Sequence, residues 1–252
     1  MCRTQAPHLL CAASVWNLRE NGIDLSPFQY YPFIIVDMCY KILFFDLDDT
    51  LYDSSNGLWE AIRARMGLYM FERLRLPPDQ VPILRRKYFE TYGTTLRGLQ
   101  IHHQVDANDY LNYVHDLPLE NFLRPDPQLR TMLLRLPQAK WIFTNADADH
   151  ARRVMKILGV EDCFQGIIDV RALGFHCKPE VAAYQLAMKL AGEEDPRRCV
   201  LIDDSARNLA VARWLGFTTV LVGRDGADPS ANYSIPRIHD LPKAIPELFD
   251  EA

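Results

Sequence analysis

The stretch Lys41-Ile42-Leu43-Phe44-Phe45-Asp46-Leu47-Asp48-Asp49-Thr50-Leu51-Tyr52 decides the fold. Ile42 to Phe45 are apolar without a break and run directly into Asp46, Asp48, Asp49 and the Thr50 hydroxyl. A short continuous apolar run is the pattern of a strand buried on both faces. Asp46 then stands at the carboxyl end of that strand, where open α/β sheets bind their ligands. An acidic surface turn would give the same local sequence, so the rest of the chain must separate the two readings.

Downstream of this stretch the period is helical. Leu58, Ala61, Ile62, Met66, Tyr69, Met70 and Leu74 share one helix face, with Ser54 or Ser55 available as a cap. Pro77-Pro78 break that helix, and a second runs from Asp79 through Tyr92 to a stop at Gly93. Thr94-Thr95 cap a third helix, and a fourth covers about residues 106–116. Beyond Pro125 and Pro127, helices at 126–136, 147–158, 179–191 and one ending at Leu215-Gly216 alternate with apolar runs. Pro179 would sit in the first turn of its helix. The runs are Lys140–Phe143, Gly166–Val170, Cys199–Ile202 and, as the last strand, Thr218–Val222. This alternation predicts an α/β fold, a Rossmann-like, doubly wound parallel sheet with an inserted all-helical cap. The expected division is a core of 39–55 and 123–252, a cap of 56–122, and an N-terminal extension over 1–38.

The extension is expected to be non-native or disordered. Pro7, Asn21-Gly22, Pro27 and Pro32 interrupt it, and Met38 stands just before the opening strand as an alternative start. A composition of 48% hydrophobic and 24% charged residues is ordinary for a globular protein. The net charge of −5 argues against binding a nucleic-acid polymer. No apolar run reaches the length of a membrane span, and Leu9–Trp16 is a poor secretory signal. The six cysteines form no CxxC pair, as in reduced thiols of an intracellular protein, and the cytoplasm is the expected compartment. The chain is expected to be a monomer or homodimer.

Three predicted strands end in reactive groups: Asp46/Asp48, Thr144-Asn145 and Asp203-Asp204, with Lys178 in a strand-to-helix loop. A parallel sheet puts these ends along one edge, so residues distant in sequence converge. Asp46 and the Asp203-Asp204 pair offer hard anionic oxygens suited to Mg²⁺, which keeps a substrate phosphate among its remaining ligands. A carboxylate also serves as a nucleophile toward phosphorus. Asp48, two residues on, suits an acid/base partner. Lys178, the Thr144 hydroxyl and the N–H groups after Asp46 could hold phosphoryl oxygens, with Asn145 beside them.

In order and spacing, Asp46-Leu47-Asp48-Asp49-Thr50, Thr144-Asn145, Lys178-Pro179 and Asp203-Asp204-Ser205 resemble the four motifs of the haloacid dehalogenase superfamily. The resemblance covers roughly residues 41–222. It implies a Mg²⁺-dependent aspartyl-phosphate mechanism on a small phosphomonoester, with a cap that selects the substrate. It assigns the nucleophile to Asp46, the acid/base to Asp48, and phosphate contacts to Thr144 and Lys178. It also implies metal ligands: Asp46, the backbone carbonyl of Asp48, Asp204 directly and Asp203 through water. A shorter resemblance, over Tyr92-Gly93-Thr94-Thr95-Leu96-Arg97-Gly98-Leu99 and Asn145-Ala146, is to the pyrimidine 5′-nucleotidase group. It implies UMP and CMP as substrates.

Arg97 could meet a phosphate or base from the cap, and Tyr52 or Tyr92 could stack on one. Each also fits a purely structural role, in cap packing or a surface ion pair. His150 and His176 are expected to be peripheral, and Arg85-Arg86-Lys87 and Arg152-Arg153 to be solvated helix faces. A sugar-phosphate phosphatase or phosphomutase uses the same core. A dehalogenase and a phospho-accepting signalling domain fit the motifs less well.

Overall fold

The computed structural model describes residues 40–249. The proposed extension over 1–38, and the alternative start at Met38 within it, lie outside these residues. Strand β1 (Ile42–Phe45) is followed by four helices, α1 (Leu58–Glu72), α2 (Val81–Tyr92), α3 (Thr95–His103) and α4 (Ala107–His115). Then come α5 (Pro127–Leu134), β2 (Ala139–Phe143), α6 (Ala148–Leu158), β3 (Gly166–Ile168) and α7 (Val181–Ala191). The chain continues with β4 (Cys199–Asp203), α8 (Ala206–Leu215), β5 (Thr218–Val222), β6 (Tyr233–Ile235) and α9 (Leu241–Ala244).

The strands form one parallel sheet in the order β3-β2-β1-β4-β5-β6. β1 lies between β2 and β4 and is buried along its whole length. Its alternation serves both faces. Leu43 and Phe45 join the cluster under α5, α6 and α9, while Ile42 and Phe44 join the cluster under α7 and α8. The chain runs outward from β1 through β2 to β3 on one side, and through β4 to β5 and β6 on the other. The carboxyl end of β1 is therefore the switch point at which such sheets bind ligands.

Helices α1–α4 are the all-helical segment inserted between β1 and β2. They pack on a cluster of their own that includes Tyr69, Met70, Tyr88, Leu96, Leu99, Tyr110 and Val114. α2 and α3 approach so closely at Gly98 that a Cβ there would lie 2.3 Å from the Tyr88 side chain. Val170, just after β3, belongs to the same cluster and ties the helices to the core.

Three local expectations are corrected. Asp53, not Ser54 or Ser55, caps the first turn, accepting from the Ser55 N–H, and α1 itself starts after Gly57. Pro179 precedes α7, whose N-cap is Glu180. β5 is not the last strand. The three-residue β6 pairs with it, too short for its alternation to stand out in the sequence.

Candidate active site

The carboxyl ends of β1, β2 and β4 meet around one lysine. Lys178 is almost wholly buried, and its Nζ donates to Asp46 Oδ1, Asp203 Oδ2 and the Phe143 carbonyl, each at 2.7 Å. A buried ammonium persists only with such partners, and two carboxylates outweigh the burial that would lower its pKa, so it is raised. Asn145 fixes this loop. Its Nδ2 donates to the Lys178 carbonyl at 3.0 Å and its Oδ1 accepts from the Lys178 N–H at 2.8 Å. Thr144 is buried, and its Oγ1 accepts from the Ala146 N–H at 3.0 Å.

Asp203 is saturated, accepting from Lys178, the Ser205 N–H and Asn208 Nδ2. Asp204 beside it is exposed. One carboxylate oxygen from each of Asp46, Asp203 and Asp204 can be chosen so that all lie within 4.8 Å of one another. Desolvation and the neighbouring Asp203 push Asp46 up to about 7, against the pull of Lys178. Desolvation with Asp46 and Asp203 nearby pushes Asp204 up to about 8. The cluster thus carries more negative charge than one lysine relieves.

Asp48 has a different environment. Its Oδ1 accepts from the Tyr52 hydroxyl at 2.5 Å and pairs with His150 Nε2 at 2.9 Å. Burial alone would raise its pKa, but His150 and the two hydrogen bonds hold it below the ordinary carboxylate range. His150 is buried, contrary to the peripheral position expected for it. It stands in the first turn of α6, and its N–H caps onto Asp147 Oδ1 at 2.8 Å. Its ring stacks on His115 of α4 with centroids 4.2 Å apart. Asp49 turns the chain with φ +59°, and desolvation with Asp48 and Glu60 nearby raises its carboxyl to about 6.

A cavity of about 540 Å³ joins these groups to the helical segment. Asp46, Asp48, Thr144, Asn145, Lys178 and Asp204 line its floor. Trp59, Arg63, Met66, Arg85, Phe89 and Leu96 line the opposite wall. The three residues expected to meet a phosphate or base, Arg97, Tyr52 and Tyr92, lie elsewhere. Tyr52 is buried against Asp48, Tyr92 bonds His102 at 2.7 Å, and neither they nor Arg97 line the cavity. Arg85 is not simply on a solvated face, because it shares a helix face with the buried Val81 and Tyr88. That spacing was the signal available in the sequence. Arg153 is also engaged, donating to the His115 and Leu117 carbonyls. His176 is partly exposed and pairs with Glu180 at 2.7 Å.

A family model described as haloacid dehalogenase-like hydrolase matches residues 40–216. The chain belongs to this family. Phosphate metabolism protein 8 of Saccharomyces cerevisiae is 31% identical over 199 residues, covering 73% of this chain. The chain spans only 62% of that relative's length. The crystal structure of a phosphatase of the same fold family from Thermococcus onnurineus superposes with a TM-score of 0.55 at 21% identity, over 81% of this chain and 96% of its own. The L-2-haloacid dehalogenase of Xanthobacter autotrophicus gives 0.53 at 19%, over 81% and 97%. At these identities the likeness to the solved structures is one of fold.

In this haloacid dehalogenase-like hydrolase the donor set suits a hard divalent cation, since it consists of carboxylate oxygens with no thiolate or imidazole among them. Their surplus negative charge is what such a cation offsets. Among the described residues, no helix is long and apolar enough to cross a membrane.

Proposed function

We propose that this hydrolase is a Mg²⁺-dependent phosphatase acting through an aspartyl-phosphate on Asp46. The observation that carries the reading is the Lys178 ammonium shared at 2.7 Å between Asp46 and Asp203, with Asp204 open beside them. Asp46 Oδ1 is committed to Lys178, whereas Oδ2 has only a long contact of 3.4 Å from the Thr50 hydroxyl. Oδ2 is therefore the oxygen free to attack phosphorus. As its bond to phosphorus forms, the bond to the ester oxygen breaks, and Asp48, which must enter this step protonated against the donors that favour its ionised form, gives that oxygen a proton. Asp48 then takes a proton from water as the water oxygen attacks phosphorus, releasing phosphate and restoring Asp46. Lys178 and Thr144 stabilise the charge on the phosphoryl oxygens.

Asp46, Asp204 and the Asp48 carbonyl would hold the metal directly. The saturated Asp203 would act through water and by positioning Lys178. The metal supplies charge neutralisation for two like-charged partners, the aspartate and the phosphate. Asn145 contributes mainly by holding the Lys178 loop.

For substrate we favour a pyrimidine nucleoside 5′-monophosphate such as UMP or CMP. The cavity is larger than a phosphate alone requires, and its wall offers Trp59 and Phe89 for stacking and Arg63 and Arg85 as donors. Among the described residues neither arginine has a carboxylate partner within 4.0 Å, and Arg85 Nη1 donates to the Arg63 carbonyl at 3.0 Å. The yeast relative's name, which refers to phosphate metabolism, agrees with the reaction class. Segment 56–122 is proposed as the substrate-selecting cap, and the chain as a cytoplasmic protein that needs no membrane or nucleic-acid partner. A phosphate-release screen across nucleoside, sugar and small-acid monophosphates tests the substrate. UMP and CMP are expected to lead, and a clear preference for a sugar phosphate removes the nucleotide reading while leaving the chemistry.

A further inference from the structure

Asp48 is held unevenly. Two groups from separate parts of the chain meet on one of its oxygens, and toward an ionised carboxylate the histidine is the Nε2–H tautomer, so both donate. The Tyr52 hydroxyl comes from the loop after β1 and the His150 Nε2 from the first turn of α6, and both reach Oδ1. Each carboxylate oxygen offers about two lone-pair sites, so Oδ1 is filled. Among the described residues no protein donor reaches Oδ2. Asp48 itself lines the cavity, whereas Tyr52 and His150 stand behind it and do not. Their own positions are well determined. Tyr52 is buried, the His150 side chain is fully enclosed, its N–H is capped by Asp147, and the His115 ring covers its face.

We propose that Tyr52 and His150 are positioning residues that pin Asp48 by Oδ1, making Oδ2 the atom that exchanges protons with the leaving group and with water. The proposal rests on the reading of Asp48 as acid/base. Oδ1 accepts hydrogen bonds whether or not Oδ2 carries a proton, so the two donors, although they favour the ionised form, hold the carboxyl's orientation in both halves of the reaction. They also prevent the rotation that would swap the two oxygens and turn the acidic proton away from the ester. His115 brings the helical segment into this support, because its ring on α4 stacks on that of His150.

The test compares two phosphomonoesters with the full chain and Mg²⁺. A simple alkyl phosphate needs a proton on its leaving oxygen, whereas p-nitrophenyl phosphate leaves as a stable phenolate. A displaced general acid should lower kcat/KM for the alkyl ester by about 10²-fold, toward the lower end of what acid/base catalysis contributes. For Tyr52→Phe and His150→Ala the loss on the alkyl ester is expected to exceed that on p-nitrophenyl phosphate by about tenfold or more. His150→Gln, which returns an N–H donor at similar reach, should recover much of the alkyl-ester rate. Equal losses on both esters, or undiminished alkyl-ester turnover, would overturn the proposal. Tyr52→Phe removes a single oxygen atom and carries the test by itself if His150→Ala does not fold. Asp48→Asn separates the two levels. If it shows no leaving-group dependence, the acid/base reading fails; if it does and the supporting variants do not, only the positioning role fails.

Discussion

The two walls of the cavity are built on opposite principles. On the sheet edge, Lys178 and Asp203 are sealed from solvent and each of their own charged atoms is matched at hydrogen-bond distance. On the helical wall, Arg63 is exposed and Arg85 half-buried, with guanidinium donors left open. A buried charge survives only with its partners in place, so the edge is rigid and suited to the group every substrate shares. A partly hydrated arginine carries no such demand, and that wall is free to suit the part of the substrate that differs.

Substitutions on the two walls should therefore fail in different ways. Asp46→Asn removes the oxygen proposed to attack and should cut phosphate release by about 10⁴-fold or more, as loss of a nucleophile does elsewhere. Unchanged turnover would sink the nucleophile assignment. Lys178→Met strands two carboxylates in a dry site and should cost about 3–5 kcal/mol, read as a lower urea midpoint, besides abolishing activity. A midpoint equal to wild type would mean that the edge is less tightly coupled than its distances imply.

Metal dependence sharpens the contrast further. Asp46 and Asp204, raised to about 7 and about 8, hold protons in the folded chain that the unfolded chain has released. Without metal, stability therefore falls as pH rises from about 4 toward 8. Mg²⁺ takes the place of those protons, so the Tm gain it gives should be larger near pH 8 than near pH 6. A gain independent of pH would break this linkage. Chelation should silence phosphate release, and Mg²⁺ should restore it. The smallest effect belongs to the helical wall. Arg85→Ala should raise KM for the preferred phosphomonoester by about tenfold, the loss of one charged hydrogen bond, with kcat nearly kept. Arg97→Ala, outside the cavity, should change neither, and the reverse pattern would return substrate selection to Arg97.

The residues at the strand ends were legible in the sequence because parallel topology makes its own prediction. An apolar run ending in Asp46, Thr144 or Asp203 has one place to go, the shared carboxyl edge. The inserted helices were legible too, since Gly93, Thr94 and the Pro77-Pro78 pair mark their ends chemically. The parts that were not legible depend on contacts between segments. His150 stands 102 positions from Asp48, and nothing near it announces a carboxylate partner. Tyr52 carries an aromatic ring that suits stacking equally well, and only the fold turns its hydroxyl onto Asp48. Arg85 and Arg97 are alike as side chains on amphipathic helices, and packing alone decides which of them meets the cavity.

The opening stretch shows the same boundary within twelve residues. Sequence by itself pointed to Ile42–Phe45 as a buried strand with Asp46 and Asp48 at its carboxyl end, because apolar continuity and a two-residue spacing are local properties, and the other strand ends decided against an acidic surface turn. Tertiary structure alone decided the surroundings that set the two carboxylates apart, one facing Lys178 and two acids, the other held by a tyrosine and a histidine. A carboxylate's chemistry is set by the charges and donors around it, and those arrive from elsewhere in the chain.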